Sequence, residues 1–173
     1  MKKLNWVILG TGTIANSFAK AFEAEKATLY GAASRNEEKA QGFCEQYAIP
    51  NYFGSYEEAL NDANVDVVYI AVPHNHHYEL IKAALHAGKH VLCEKVITIN
   101  GKQLQEIMAL AKEKQLYVAE AMTIFNMPLY RKLKEWIQEN DLGPLKMIQA
   151  SFGSFKETDP SVYYFNKELA GGA

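Results

Sequence analysis

The chain has 173 residues, 18 basic and 20 acidic, for a formal charge of −2; hydrophobic residues make up 49% and charged residues 22%. This is the balance of a domain that buries a core, without the Lys/Arg excess that binding a nucleic-acid backbone requires. No apolar run reaches the roughly 18 residues of a membrane span, and the 2 Cys cannot build a disulfide scaffold. The opening Met1–Leu9 imitates a signal peptide, but Asn5 interrupts it and a Gly-rich turn follows in place of a cleavage site. These features predict a cytoplasmic protein with neither a nucleic-acid nor a membrane partner.

Leu4–Leu9 is a short apolar run that stops at Gly10-Thr11-Gly12, the pattern of a buried strand. Ala15, Phe18, Ala19 and Phe22 then recur as one face of a helix. Ala27–Ala33 is a second strand. Asn36 caps a second helix, with Glu37 and Glu38 where the helix dipole favours them and Ala40, Phe43, Cys44 and Tyr47 as its stripe. Ile49-Pro50 ends that helix. Ser55–Glu58 fits a capping box that opens a short third helix. Val65–Val72 is the most strand-like segment. A helix from about His77 to Ala87 follows, with Gly88 as its C-terminal cap. Then come a strand at Val91–Cys93, a helix capped by Asn100 with the stripe Leu104, Ile107, Met108 and Ala111, and a strand at Tyr117–Ala121.

Strand and helix alternate through residue 121, which predicts an α/β fold: a doubly wound parallel sheet with helices on both faces, over residues 1–121. The rhythm changes at residue 122. Asn126 and Pro128 open a helix with Leu129, Leu133, Trp136 and Ile137 on one face, Asp141–Pro144 turns, and Leu145–Phe155 reads as a longer strand. Residues 122–173 are therefore expected to begin a second, α+β domain. The closing Gly171-Gly172-Ala173 has the composition of a turn into a further element.

Gly10-Thr11-Gly12-Thr13-Ile14-Ala15 is a GxGxxA pattern. Between a strand and a helix it has a physical meaning. The first glycine makes the tight turn, and the second lets backbone approach a pyrophosphate. Ala15 keeps strand and helix close, and the helix N-terminus supplies free N–H groups. An ordinary strand–helix turn is the competing reading, and the surrounding βαβ pattern favours dinucleotide binding. The end of the second strand selects the nucleotide. A ribose 2′-OH is usually held by a carboxylate about 20 residues past the glycines. Here Ala33-Ser34-Arg35 stands instead. Ser34 and Arg35 suit a 2′-phosphate, so NADP(H) is expected to be preferred over NAD(H).

Two further strand ends carry chemistry. One is Pro73-His74-Asn75-His76-His77; the other is Cys93-Glu94-Lys95-Val96. A lysine at that edge can hydrogen-bond a substrate oxygen and stabilise its negative charge. A solvated ammonium is the alternative reading.

The glycine turn, the segment from Pro73 to His77 running into Ala87-Gly88-Lys89-His90-Val91-Leu92-Cys93-Glu94-Lys95, and the closing Ala170–Ala173 together resemble the Gfo/Idh/MocA family of oxidoreductases. The resemblance covers essentially the whole chain and is specific in its middle. It implies an NAD(P)-dependent dehydrogenase or reductase acting on sugars, polyols or related carbonyls. It implies a catalytic role for Lys95, and a nicotinamide bounded by Pro73, His74, Glu94 and Lys95, with His77 opening a helix that faces the cofactor. It also implies a homo-oligomer assembled through the C-terminal domain.

The sequence departs from the family pattern in three places. Val96 replaces the proline that normally follows the lysine. A non-proline cis bond costs about 3 kcal/mol, so Lys95–Val96 is expected to be trans. Glu120-Ala121-Met122 resembles the dihydrodiol-dehydrogenase-like branch, but Thr123 and Phe125 stand where an aromatic and an Arg usually follow. The family's catalytic His lies downstream of the closing glycine turn, so residues 1–173 alone are expected to be inactive.

His74, His76 and His77 lack a local Cys or carboxylate to complete a metal site, and none is expected. Cys44 and Cys93 read as buried thiols rather than nucleophiles. Two functions stay open: a redox enzyme using Lys95, and a non-catalytic dinucleotide-binding regulatory module. Lys95 favours the enzyme, since binding alone does not require it.

Overall fold

The computed structural model describes residues 3–139, 143–151, 153, 155 and 165. The elements are β1 (Asn5–Leu9), α1 (Thr13–Ala21), β2 (Thr28–Ala33), α2 (Glu37–Tyr47), β3 (Asn51–Phe53), α3 (Tyr56–Asn61), β4 (Val67–Ile70), α4 (His77–His86), β5 (His90–Cys93), α5 (Gly101–Lys114), β6 (Val118–Glu120) and α6 (Pro128–Gln138). The six strands form one sheet in the order β3-β2-β1-β4-β5-β6, and all its pairings are parallel. This is the doubly wound arrangement of a Rossmann fold.

The strands are apolar on both sides because both sides are covered. Val7 and Leu9 of β1 and Val68 and Ile70 of β4 enter the core beneath α3, α4 and α5. Ile8 and Tyr69, between them, enter the opposite core with Ala15 of α1 and Phe43 and Cys44 of α2. The period of 2 thus divides each central strand between two cores.

Helix starts follow their caps. The Asn36, Ser55 and Asn100 side chains accept from the N–H groups of Lys39, Glu58 and Gln103. The Glu58 carboxylate reaches back to the Gly54 N–H, one residue beyond the cap. Gly88 ends α4 with φ +74°, in the left-handed region that glycine tolerates. The buried Lys89 ammonium donates to the Asp62 and Val65 carbonyls at 2.7 and 2.9 Å, tying the start of β5 to the loop before β4.

The structure differs from the sequence-based expectations at four points. Strand β3 was not foreseen: Asn51-Tyr52-Phe53 has no apolar alternation. It forms because the Asn51 amide donates to the Tyr30 carbonyl, and because Gly31 leaves room for the Phe53 ring, which an added Cβ would meet at 2.7 Å. Asn126 does not cap α6; Met127 holds that position, and the Asn126 carbonyl accepts from Arg131 instead. Residues 145–151 carry no strand. A strand needs a neighbour for its N–H and C=O groups, and residues 145–151 pair with none of the six described strands; the rest of the expected strand to Phe155 lies partly outside the described residues. Finally, Lys95–Val96 is cis, not trans; the residues on either side of it are hydrogen-bonded from other elements, as described below.

Candidate cofactor and catalytic site

The strand order reverses between β1 and β4, and in such sheets ligands bind outside the carboxyl ends at that point. Gly10 follows β1 with φ +109°, and a Cβ there would lie 2.4 Å from the Ala71 carbonyl oxygen. Both facts require glycine. Gly12 is different. It has an ordinary negative φ of −80°, and nothing lies within 4 Å of where its Cβ would be. No internal contact explains the missing side chain, whereas a ligand closing on the backbone does. Gly12 also heads α1 without a side-chain cap, which leaves first-turn N–H groups available. These features fit a pyrophosphate. Thr11 is half-buried, Thr13 and Ile14 are exposed at the turn, and Ala15 is fully buried against the sheet.

Three separate grooves lie along this edge. One, of about 260 Å³, is lined by Arg35, Tyr56, Val72, Pro73 and His76 among others. A second, of about 440 Å³, is lined by Thr11, Gly12, Asn16, Lys39 and their neighbours. A third, of about 370 Å³, has Ile14 and Phe18 on one side and Tyr69, Glu94, Glu120 and Met122 on the other.

Arg35 is exposed and hydrogen-bonds the Tyr56 hydroxyl, whose pKa burial raises and the guanidinium pulls back. Ser34 is buried; its hydroxyl oxygen accepts from the Asn36 N–H at 3.3 Å. Lys39, which sequence reasoning passed over, lines the same groove as Gly12.

At the end of β5, Glu94 is half-buried and Lys95 exposed. The Lys95 ammonium makes no hydrogen bond or ion pair among the described residues, while its N–H donates to Glu94 Oε2 at 3.3 Å. Glu94 Oε1 accepts from the Tyr69 hydroxyl at 2.7 Å. Burial, then that hydrogen bond, holds the tyrosine pKa far above its ordinary value, so Tyr69 donates and does not ionise. Phe18 stacks on the same ring with centroids 3.9 Å apart. Tyr69 is a site residue that the sequence did not betray, because a tyrosine inside an apolar strand looks like core.

His77 was expected to face the cofactor. The structure buries it completely. Nδ1 lies 2.8 Å from the Val96 carbonyl oxygen and Nε2 2.9 Å from that of Val72, so both ring nitrogens are occupied inside the protein. Burial pushes its pKa below the usual histidine value, and the two carbonyls pull it back up. His74 is half-buried, with its ring 5.5 Å from that of His77. No group of three potential metal ligands occurs among the described residues. Burial pushes the Cys44 thiol up to about 11 and the Cys93 thiol higher, so neither is a nucleophile at neutral pH.

A parallel sheet in this strand order, with an open glycine turn at its switch point, defines a dinucleotide-binding domain of the oxidoreductase type. Residues 4–122 match a family described as "Oxidoreductase family, NAD-binding Rossmann fold", and the chain belongs to this Gfo/Idh/MocA family. It is 34% identical over 171 residues to a trans-1,2-dihydrobenzene-1,2-diol dehydrogenase of Xenopus laevis, covering 97% of this chain and 51% of the relative. It is 32% identical to a D-xylose 1-dehydrogenase (NADP(+)) of Hypocrea jecorina, covering 98% and 49%. Among solved structures, a point variant of a 3-ketoreductase from Actinomadura kijaniata, in complex with TDP-benzene and NADP, superposes with a TM-score of 0.87 at 28% identity. That match covers 99% of this chain and 53% of the other. The chain spans about half the length of the curated relatives it matches.

Proposed function

We propose that the chain is the cofactor-binding and lysine-bearing part of an NADP(H)-dependent oxidoreductase that acts on a sugar, polyol or related carbonyl. The observation that carries this reading is the pairing of Gly12, open to a ligand at one end of the edge, with a Lys95 ammonium beside Glu94 at the other that has no partner among the described residues. Three grooves along one edge suit an elongated dinucleotide: its adenosine end near Arg35 and Pro73, its pyrophosphate at Thr11–Thr13, its nicotinamide end between Ile14 and Glu94.

The cofactor supplies or accepts the hydride when bound. Lys95 then directs its N–H groups at the substrate oxygen, stabilising negative charge as the carbonyl is reduced and serving as proton donor; in the oxidative direction the proton moves the other way. Glu94, held by Tyr69, lines the nicotinamide end, with His74 on the neighbouring strand end, while Pro73 lines the groove of the adenosine end beside Arg35. His77 supports this edge from inside. Arg35 and Ser34 take the 2′-phosphate. The relatives named for NADP(+) and diol dehydrogenation support the cofactor and substrate class. A second unit begins where the match to the NAD-binding fold ends, at residue 122; its substrate-facing and oligomer-forming roles rest on the family resemblance alone. Two buried free thiols support a cytoplasmic setting.

The test is a titration with NADPH and NADH. Arg35→Ala is expected to weaken NADPH by about 1.5–3 kcal/mol and leave NADH nearly unchanged. Equal losses for both would remove the 2′-phosphate assignment. Lys95→Ala, in the protein carrying the substrate domain, is expected to lower turnover of D-xylose or trans-1,2-dihydrobenzene-1,2-diol about 100- to 1,000-fold with NADPH binding intact. Intact turnover in that variant would remove Lys95 from the chemistry, and a wild type that binds NADPH but turns over no such substrate would favour the regulatory-module reading.

A further inference from the structure

The Val96 carbonyl and the Ile97 N–H belong to one peptide group, immediately after Lys95. The carbonyl faces His77 Nδ1 at 2.8 Å, and the N–H donates to Glu120 Oε1 at 2.9 Å. His77 opens α4 and Glu120 ends β6. These residues lie 19 and 23 positions from the peptide they contact, on opposite sides of it in sequence. Lys95 and Val96 are both exposed. Among the described residues the loop's other anchors include the Tyr69 hydroxyl and the Lys95 N–H on Glu94, the Glu94 N–H on the Ile70 carbonyl and the Ile97 side chain in the core; of these, only Ile97 lies on the far side of Val96.

We propose that His77 and Glu120 are positioning residues that grip the Val96–Ile97 peptide from its two ends and so fix where Lys95 stands. The inference rests on Lys95 being the catalytic lysine, as argued above. The chemistry of the grip is directional. An ionised Glu120 accepts from Ile97 N–H, which polarises the peptide and makes the Val96 oxygen a stronger acceptor. That oxygen only accepts, so His77 must carry its proton on Nδ1 to hold it. The Val72 carbonyl at Nε2 is likewise an acceptor, so a neutral His77, with a single ring N–H, donates to only one of the two carbonyls, and the grip needs that proton on Nδ1.

Three measurements on the 173-residue chain decide the matter. In the wild type, nitrogen-15 NMR is expected to show a proton directly bonded to His77 Nδ1; a bare Nδ1 overturns the His77 half of the grip. In Glu120→Ala, the Ile97 amide is expected to exchange about 10-fold faster and its proton signal to shift upfield, while Glu120→Gln, which keeps an acceptor oxygen, restores most of the protection. Unchanged Ile97 exchange in Glu120→Ala overturns the Glu120 half. Glu120 is a half-buried residue at an edge strand, so neither variant threatens folding. Lastly, NADPH is expected to shield Lys95 from acetylation in the wild type and in Glu120→Gln. The shielding, read at saturating NADPH, should fall several-fold in Glu120→Ala. A parallel loss of NADPH affinity and of the unfolding midpoint would reduce Glu120 to a general structural residue. Wild-type NADPH that binds without shielding Lys95 would count against the proposed function, whereas the Ile97 and His77 results would still decide the grip.

Discussion

The glycine turn after β1 and the lysine loop after β5 lie at the same edge of one sheet, and they are held there by opposite means. The turn is shaped by its own backbone. Gly10 adopts a φ that other residues avoid, its N–H donates to the Ala33 carbonyl at 2.9 Å, and Ala71 leaves no room for a side chain. The loop is shaped by visitors: Tyr69, His77 and Glu120 reach it from 25, 19 and 23 residues away. A binding surface for a phosphate needs only N–H groups and space, which a short run of chain can provide. Aiming one ammonium needs restraints from several directions, which only the folded sheet can bring together.

Substitutions can break or sharpen this contrast. The largest effect is expected within the turn. Gly10→Ala combines a left-handed φ with a clash against fixed backbone, together worth about 4 kcal/mol. Gly12→Ala, two positions on, is expected to change stability by less than about 0.5 kcal/mol while weakening NADPH binding. Urea denaturation and cofactor titration of the two variants separate an internal from an external requirement for glycine. Equal destabilisation by both would erase the distinction drawn here. In the loop, Tyr69→Phe removes the donor to Glu94 and is expected to cost about 1.5–3 kcal/mol, read from the urea midpoint. The smallest effect concerns pH. The folded pKa of His77 is lowered, chiefly by burial, so the unfolded chain binds more protons once the pH falls below about 6.5. Its contribution is present above that pH and is lost on acidification towards the folded pKa, at no more than about 1.4 kcal/mol per pH unit. A His77→Gln variant should lack this part of the slope in denaturation series between pH 7 and pH 5.

The same contrast explains what could be read in the sequence. The caps Asn36, Ser55 and Asn100 rest on neighbours within a few positions, and the turn and the parallel alternation show in glycine spacing and apolar period, so pattern and spacing reveal them. Strand β3 escaped because its reason for existing is the space that Gly31 leaves for Phe53 on another strand. Tyr69 and Glu120 escaped because their partners are distant. The resemblance placed His77 at the start of a helix facing the cofactor; that its own ring is buried between two carbonyls depends on how α4 settles against the loops. The residues of the Lys95 motif stand plainly in the sequence; the side chains that contact its loop do not.

Lys89 and Lys95 belong to one short motif and stand at opposite ends of β5. The first is 7% exposed with two carbonyl partners, and the second is open to the solvent edge. A scan of variants scored by how much protein accumulates in cells would therefore mark Lys89 as indispensable and pass over Lys95 without notice. If Lys95 carries the chemistry proposed above, a scan scored by growth that depends on that activity would mark both. The ratio of the two scores at each lysine tells scaffold from chemistry, and it does so inside a stretch where the sequence alone shows two identical letters.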